Sequence, residues 1–104
     1  MAEAVAEFLE RIASREKIDE RRLMALGLIS YLKDKKRKLM KERLEILRRY
    51  RVSSAGELEE KIGRGEVEEH PAWEDLITVE NLDAEIREIS NELSALQKTL
   101  QNSP

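Results

Sequence analysis

The side chains best suited to binding a metal ion surround the single histidine. Glu69 and His70 are followed by Glu74 and Asp75, and residues four apart share one face of a helix. One imidazole without a second imidazole or a thiolate makes a weak site, and the chain has no Cys. A helix start explains the same residues, with Pro71 in the first turn and acids near the positive end of the helix dipole. We favour the helix start and predict no metal and no cofactor.

Nucleophilic catalysis and phosphate binding by a glycine loop have little support. Nine Ser and Thr hydroxyls stand in no recognisable nucleophile motif. Gly63-Arg64-Gly65 has the spacing of a Gly-x-Gly loop, but no predicted strand precedes it and no third glycine follows. The residues therefore predict a protein without enzymatic activity.

A dense group of basic residues is the strongest candidate for binding a charged ligand. Its members are Lys33, Lys35, Lys36, Arg37, Lys38 and Lys41. Residues 1–56 carry fifteen basic and nine acidic side chains, whereas residues 57–104 carry four and thirteen. This asymmetry predicts either a contact with nucleic-acid phosphates or two helices that neutralise each other side by side. We favour neutralisation, because the acidic half is long enough to cover the basic one and only Tyr31 and Tyr50 are near enough to stack on bases.

Composition and spacing predict the helices that position these residues. Ala, Glu, Lys, Leu and Arg supply 60 of the 104 residues, which is typical of long helices or coiled coils. Towards the carboxyl end, apolar residues recur at alternating intervals of three and four, which predicts a coiled-coil seam. The seam residues are Val79, Leu82, Ile86, Ile89, Leu93, Leu96 and Leu100. Thr78 or Asn81 could cap a separate start, which would place a kink near 78–81.

A second long helix is predicted upstream, at residues 19–50. Its part from Leu23 to Leu32 is apolar almost all round, so we expect burial on more than one side. Gly27 costs roughly 1 kcal/mol relative to Ala in a helix, so another backbone is expected to approach closely there. A helix over 19–50 would be about 48 Å long and one over 71–100 about 45 Å, lengths that suit an antiparallel hairpin.

The sequence thus predicts an all-α chain with one domain over 1–104. Its parts are an N-terminal helix at 1–18, the long helix at 19–50, a connector with a short helix at 51–70, and a C-terminal coiled-coil helix at 71–101. Asp19 could cap the second helix, and we favour a bend or short interruption near Ser14 to Asp19. Ser54 and Glu57 have capping-box spacing before the short helix, which Gly63 would end. A lone hairpin of this size leaves apolar residues uncovered, so we expect a dimeric helical bundle.

The predicted function is a structural or protein–protein interaction module that forms a homodimer. The predicted interface comprises Leu23, Leu26, Ile29, Leu82, Ile86, Ile89, Leu93, Leu96 and Leu100. The alternative is a nucleic-acid-associated accessory protein that uses Lys33–Lys41. The longest mostly apolar run is about half of the roughly 20 residues that cross a membrane, and no signal peptide is visible, so we expect a cytoplasmic protein. The Glu-, Lys- and Arg-rich, Cys-free composition also suits a thermophile.

Two stretches resemble known families. Arg15-Glu16-Lys17-Ile18-Asp19 resembles the Arg-x-x-Ile-Asp opening of the all-helical chorismate mutases, and implies a remote alternative: a small dimeric enzyme built around a long first helix. The next Arg of that family's pattern falls at Leu32, with Lys33 adjacent. Residues 52–62 together with 69–75 resemble small uncharacterised archaeal proteins that combine a short helix with a coiled-coil helix. This second resemblance, over about a quarter of the chain, implies an antitoxin-like partner role and brings no active-site residues.

Overall fold

The computed structural model describes residues 2–102, with side chains from residue 4 onward; Met1, Ser103 and Pro104 of the predicted 1–104 domain lie outside this range. Within it the chain forms four α-helices and no strand, so the prediction of an all-α fold is confirmed. The helices are α1 (Ala2–Glu16), α2 (Glu20–Arg49), α3 (Ala55–Gly63) and α4 (Glu69–Gln101). The two long helices, α2 and α4, pack against each other as the predicted hairpin.

A tight turn separates α1 from α2, where the sequence contains no Gly or Pro. Lys17 adopts a left-handed conformation with φ 56°. The N–H of Ile18 donates to the carbonyl of Ala13 at 2.9 Å, which closes the last turn of α1. Asp19 then caps α2 as predicted, because its carboxylate accepts hydrogen bonds from the N–H groups of Arg21 and Arg22.

The end of α2 has the same type of turn, with a left-handed residue after the helix. Arg51 has φ 53°, and the N–H of Val52 donates to the carbonyl of Leu47 at 3.2 Å. A left-handed residue just after a helix is usually glycine, because a Cβ is strained there. Both turns therefore place a long basic side chain, Lys17 or Arg51, where the sequence pattern would call for glycine.

The start of α3 contains the predicted capping interaction in a modified form. The hydroxyl of Ser54 accepts from the N–H of Glu57 at 3.1 Å, as in a capping box. The carboxylate of Glu57 accepts from the N–H of Ser53 at 3.0 Å, rather than from that of Ser54. The helix ends at Gly63 as predicted, and the left-handed residue that follows is Gly65, with φ 72°.

The last helix runs unbroken from Pro71 to Gln101. The bounds of α4 include Glu69 and His70, but His70 has non-helical φ and ψ, so the regular helix begins at Pro71. The kink considered near 78–81 is absent, since no residue there departs from helical geometry. Thr78 does not cap a new start; its hydroxyl donates to the carbonyl of Glu74 at 3.1 Å within the helix.

Two apolar clusters hold the helices together. The larger cluster lies between α2 and α4, where Leu47 is 1% and Val79 0% exposed. The smaller cluster joins α3 to the start of α4 through Leu58, Ile62, Ala72 and Leu76. Tyr50, Val52 and Ala55 contact both clusters, so the α2–α3 connection is part of the core.

The hairpin has a closed end, which carries α3, and an open end, where α2 begins and α4 finishes. Nε of Arg43 on α2 lies 2.5 Å from Oδ1 of Asp83 on α4, and this ion pair marks the antiparallel register. The radius of gyration is 19.9 Å and the principal extents are 61 × 31 × 17 Å. A compact chain of this length would have a radius of gyration of about 13 Å, so the molecule is elongated.

The apolar belt from Leu23 to Leu32 is less covered than predicted. Ile29 is buried, but Leu26 is 39%, Leu28 54% and Tyr31 67% exposed. The prediction that another backbone approaches Gly27 closely is wrong within one chain, because a Cβ built there would meet no other atom within 4 Å. The reason is geometric: α4 packs against one side of α2, so apolar residues that point elsewhere around this helix stay exposed. None of the helices in that range is long and apolar enough to cross a bilayer.

Candidate interaction surfaces

Most of the residues predicted as an oligomer interface lie in the core of the single chain. Four of them are buried: Ile29, Leu82, Ile89 and Leu93. Three more are partly buried and pack against this cluster: Ile86, Leu96 and Leu100. Leu23 is also half-buried, whereas Leu26 is exposed. The seam therefore joins α2 to α4, and a substitution in it would disturb the hairpin before any assembly.

One side of the open end forms an apolar groove between the two long helices. This open-end groove has a volume of about 470 Å³, and its lining residues are Leu28, Tyr31, Leu32, Glu92, Ala95 and Leu96. Leu28 and Tyr31 are more than half exposed, and Leu32 and Leu96 are half-buried beneath them. Exposed apolar side chains that lie together over a half-buried floor are typical of a surface that contacts another macromolecule.

The other side of the hairpin carries a second groove of opposite character. This cationic groove has a volume of about 530 Å³, and its lining residues are Lys33, Lys36, Arg37, Met40, Ser90, Leu93, Ser94 and Gln97. Three cations, two hydroxyls and an amide line it, and no carboxylate does. Tyr31 and Lys33 are two residues apart on α2 and so point about 200° apart around the helix, which places the two grooves on opposite sides.

The six basic residues predicted as a nucleic-acid contact do not form one face. Lys33, Lys36 and Arg37 line the cationic groove, whereas Lys35 and Lys38 lie on other sides of α2, since consecutive helical residues are about 100° apart. Asp34 bonds both Arg37, at 2.5 Å, and Lys38, at 3.2 Å. The Lys38 and then the Arg37 interactions hold the pKa of Asp34 below its ordinary 3.8.

Neutralisation between the two halves of the chain is confined to the closed half of the hairpin. Ion pairs between α2 and α4 join Arg43 to Asp83, and Arg49 to Asp75 at 3.4 Å. Among the described side chains, no carboxylate lies within ion-pair distance of the other four cations of the group. These four are Lys33, Lys35, Lys36 and Lys41. On the side of the cationic groove α4 presents Ser90, Ser94 and Gln97, with no carboxylate.

The residues considered for a metal site do not converge on one point. Nδ1 of His70 lies 2.8 Å from Oε1 of Glu74 at the exposed start of α4. A bond from its own backbone N–H, and then the bond to His70, lower the pKa of Glu74 from its ordinary 4.5. Asp75 points away, towards the hydroxyl of Tyr50 and the guanidinium of Arg49. Within residues 4–102 no three His, Asp or Glu side chains are grouped so as to hold a metal ion.

The stretch that resembles a chorismate mutase opening spans the turn between α1 and α2 rather than a long first helix. Arg15 is exposed and pairs with Glu16 at 2.8 Å, and Asp19 is the N-cap of α2. Earlier in α1, Val5 and Phe8 are exposed, and the guanidinium of Arg11 lies 5.1 Å from the centre of the Phe8 ring. These residues form a turn and a helix surface, with no groove of converging cations.

Comparison with known proteins gives one finding that covers nearly the whole chain. The model of a family described as "Uncharacterized protein MJ0235 family" matches residues 1–101. No curated protein and no solved structure matches the chain. The family match agrees with the predicted resemblance to uncharacterised proteins, and it assigns no role to any residue. The functional argument therefore rests on the two grooves.

Proposed function

The chain belongs to the Uncharacterized protein MJ0235 family, and we propose that it is a non-enzymatic protein–protein interaction module whose docking surface is the open-end groove. The observation that carries the proposal is the exposure of Leu28 and Tyr31, at 54% and 67%, above half-buried Leu32 and Leu96. An antitoxin-like role, which the resemblance to archaeal proteins implies, would be one case of such a module.

The energetics favour a helical protein surface as the occupant of the groove. Covering a half-exposed Leu or Tyr contributes on the order of 1–2 kcal/mol for each side chain. The groove is open along the hairpin and is bounded by a helix on each side, so a third helix can pack into it ridge into groove. Its single charged residue is the exposed Glu92, in an otherwise apolar and aromatic lining. Aromatic and apolar anchors with charge at the edge are typical of protein interfaces.

Site-specific photo-cross-linking in the native cell tests this proposal. A photoreactive amino acid placed at Tyr31 is expected to form an adduct with a polypeptide, identified by mass spectrometry as the same chain or another protein. The matched control is Leu44, which is apolar, 48% exposed and four residues after Met40 of the cationic groove. No polypeptide adduct at position 31, or an equal yield at position 44, would reject the open-end groove as a docking surface.

A second candidate function is supported by the cationic groove. Lys33, Lys36 and Arg37 converge there with hydroxyl and amide donors, and Lys33 and Lys36 have no ion-pair partner within residues 4–102. Such a surface suits phosphate oxygens, whose binding releases counterions and depends steeply on salt. Under this alternative the chain is a nucleic-acid-associated accessory protein.

Fluorescence anisotropy with a labelled DNA duplex separates the two candidates. If the cationic groove binds phosphates, affinity falls steeply as salt rises, and Lys33→Glu/Lys36→Glu weakens binding at least tenfold. Arg21→Glu/Arg22→Glu, at the exposed start of α2, makes the same change in net charge away from the groove and is expected to have little effect. Absence of binding at low salt, or equal loss in both variants, rejects the alternative.

A further inference from the structure

The face that contains the open-end groove carries unlike charges on its two helices. On α2, Lys35 and Lys38 follow Tyr31 by four and seven residues, spacings that keep them on the same face of the helix. On α4, Glu92 lines the groove, and two further glutamates precede it by four and seven residues. The acids of this face are Glu85, Glu88 and Glu92, all exposed. Within residues 4–102, neither Lys35 nor any of these three glutamates forms an ion pair.

The register of the hairpin sets which of these residues lie at the same height. Arg43 is bonded to Asp83, and each step towards the start of α2 matches one step towards the end of α4. Tyr31 is therefore level with Ala95, in agreement with their shared lining of the groove. By the same count Lys38 is level with Glu88, and Lys35 is level with the residue before Glu92.

We infer that a second copy of this chain covers this face, and that the two-fold axis of the dimer runs along the length of the hairpins. The inference rests on the proposed function, because it names the partner of the open-end groove. About such an axis, α2 of each chain lies against α4 of the other at the same height. Tyr31 then packs against Ala95, and Lys35 and Lys38 face Glu92 and Glu88. Each contact occurs twice, as two-fold symmetry requires.

The charges select this axis over the other way of joining the same faces. A two-fold axis perpendicular to the helices would place α2 on α2 and α4 on α4, with the three glutamates of each α4 facing one another. Like charges at an interface oppose such an arrangement, whereas unlike charges fix the orientation of the partner. This charge complementarity between α2 and α4 covers the open half of the hairpin. Nearer the closed end α2 becomes acidic at Glu42 and Glu45, so the contact is expected to centre on Tyr31 and Lys35.

The two arrangements differ in where the closed ends lie, and the absence of Cys allows a direct measurement. A single spin label at Glu59→Cys marks α3, because Glu59 is exposed and the chain has no other cysteine. The inferred axis puts the two labels side by side, on the order of 20–50 Å apart given helix spacings of about 10 Å. The perpendicular axis puts them at opposite ends of an assembly longer than one 61 Å molecule. A distance in the long range, or a 12.1 kDa monomer in sedimentation equilibrium at micromolar concentration, would overturn the inference.

Charge reversal tests the contacts without removing an apolar side chain. Lys35→Glu/Lys38→Glu and Glu88→Lys/Glu92→Lys are each expected to weaken self-association roughly tenfold, and an equimolar mixture of the two variants is expected to restore it. A mixture of Lys35→Glu/Lys38→Glu with the unaltered chain should associate more weakly than the unaltered chain alone. If α2 lay on α2, this mixture would associate more strongly than the unaltered chain alone, and that result would overturn the inferred axis.

The matched control and the cross-link keep this inference separable from the proposed function. Lys33→Glu/Lys41→Glu makes the same change in net charge off this face and is expected to leave the dimer intact; equal weakening would overturn the inference. An adduct from position 31 to another protein, and none to the same chain, would also overturn it while the proposed function stands. No polypeptide adduct at all would remove both.

Discussion

Replacing Tyr50 with Phe tests how the closed end of the hairpin is held. Tyr50 lies at the end of α2, where its ring contacts both apolar clusters and its hydroxyl donates to Oδ2 of Asp75 on α4. Nη1 of Arg49 lies 3.4 Å from the same carboxylate oxygen. The substitution removes the hydroxyl and keeps the ring. The apolar packing is therefore unchanged, and the measured effect reports the hydrogen bond.

The expected magnitude at neutral pH follows from the hydrogen bond, and the pKa of Tyr50 sets how the effect changes with pH. A hydrogen bond to a charged group contributes about 1.5–3 kcal/mol. Burial, and then the hydrogen bond to Asp75, raise the pKa of Tyr50 from 10.0 to about 12. At 1.36 kcal/mol per pH unit, that difference is the stability, about 2.7 kcal/mol, that ionisation of the unfolded chain removes as the pH rises from 10 to 12. Because Tyr50 is partly exposed and Asp75 keeps Arg49, we expect Tyr50→Phe to lower the free energy of unfolding by about 2 kcal/mol at neutral pH.

The same bond predicts a defined pH dependence. The pKa of Tyr50 in the folded chain, about 12, is higher than the ordinary 10.0, so folding favours the protonated phenol. The stabilisation is complete below pH 10 and is lost as the pH rises towards 12. The unfolding free energies of the unaltered chain and of Tyr50→Phe should therefore converge over this interval.

Urea unfolding followed by circular dichroism measures the change, and the second tyrosine supplies the control. Tyr31 is 67% exposed, so Tyr31→Phe is expected to leave stability unchanged within about 0.5 kcal/mol. It also leaves Tyr50 as the one remaining tyrosine, so ultraviolet absorbance then reports its ionisation alone. A loss below about 0.5 kcal/mol in Tyr50→Phe, or ionisation near pH 10.0 in the folded Tyr31→Phe chain, would refute the reasoning.

Three further predictions concern stability and use the same unfolding measurement. Leu47→Ala removes a side chain that is 1% exposed and is expected to lower the free energy of unfolding by about 2–5 kcal/mol. Its control is Leu44→Ala, three residues earlier and 48% exposed, which should lower it by under about 1 kcal/mol. Equal losses in the two variants would contradict the assigned core. Gly27→Ala is expected to stabilise the chain by up to about 1 kcal/mol, because a Cβ there meets no atom within 4 Å; a loss would reveal a contact at this site. Arg51→Gly relieves a left-handed residue and is expected to add about 1 kcal/mol; no gain would mean that the Arg51 side chain offsets its strain.

The parts of the fold that could be predicted from the sequence are those in which local chemistry and packing agree. The three-and-four spacing of the seam lies opposite an apolar stripe of equal length, so α2 and α4 have one good way to pack. Asp19 and Ser54 are both residues that cap helices and are followed by helix-forming sequence. Pro71 has no N–H to satisfy and therefore suits the first regular turn of α4.

The turns at Lys17 and Arg51 could not be located with the same certainty. A left-handed residue after a helix is normally marked by glycine, and only Gly65 carries that mark here. At Lys17 and Arg51 the tertiary structure overrides the local preference. Without a glycine, the predicted bounds at residues 18 and 50 depend on Asp19 and Ser54, which cap the helices that follow.

The candidate surfaces were only partly predictable because they depend on which sides of α2 are covered. Sequence spacing places Leu93 in an apolar seam but cannot show that α2 of the same chain buries it. The same limit applies to the basic group, since the side of α4 that faces Lys33 and Lys36 is set by the register of the hairpin. Ser90 and Ser94 line the cationic groove with these lysines, but nothing in their type or spacing predicts that position.

The elongated outline has a practical consequence for measuring mass in solution. A rod-like particle with a 61 Å long axis experiences more friction than a sphere of equal mass, so it diffuses slowly and leaves a gel-filtration column early. A single 12.1 kDa chain would then elute like a heavier globular standard. Elution volume alone would therefore not distinguish such a monomer from a dimer. Sedimentation equilibrium and static light scattering, whose readings do not depend on friction, give the stoichiometry directly.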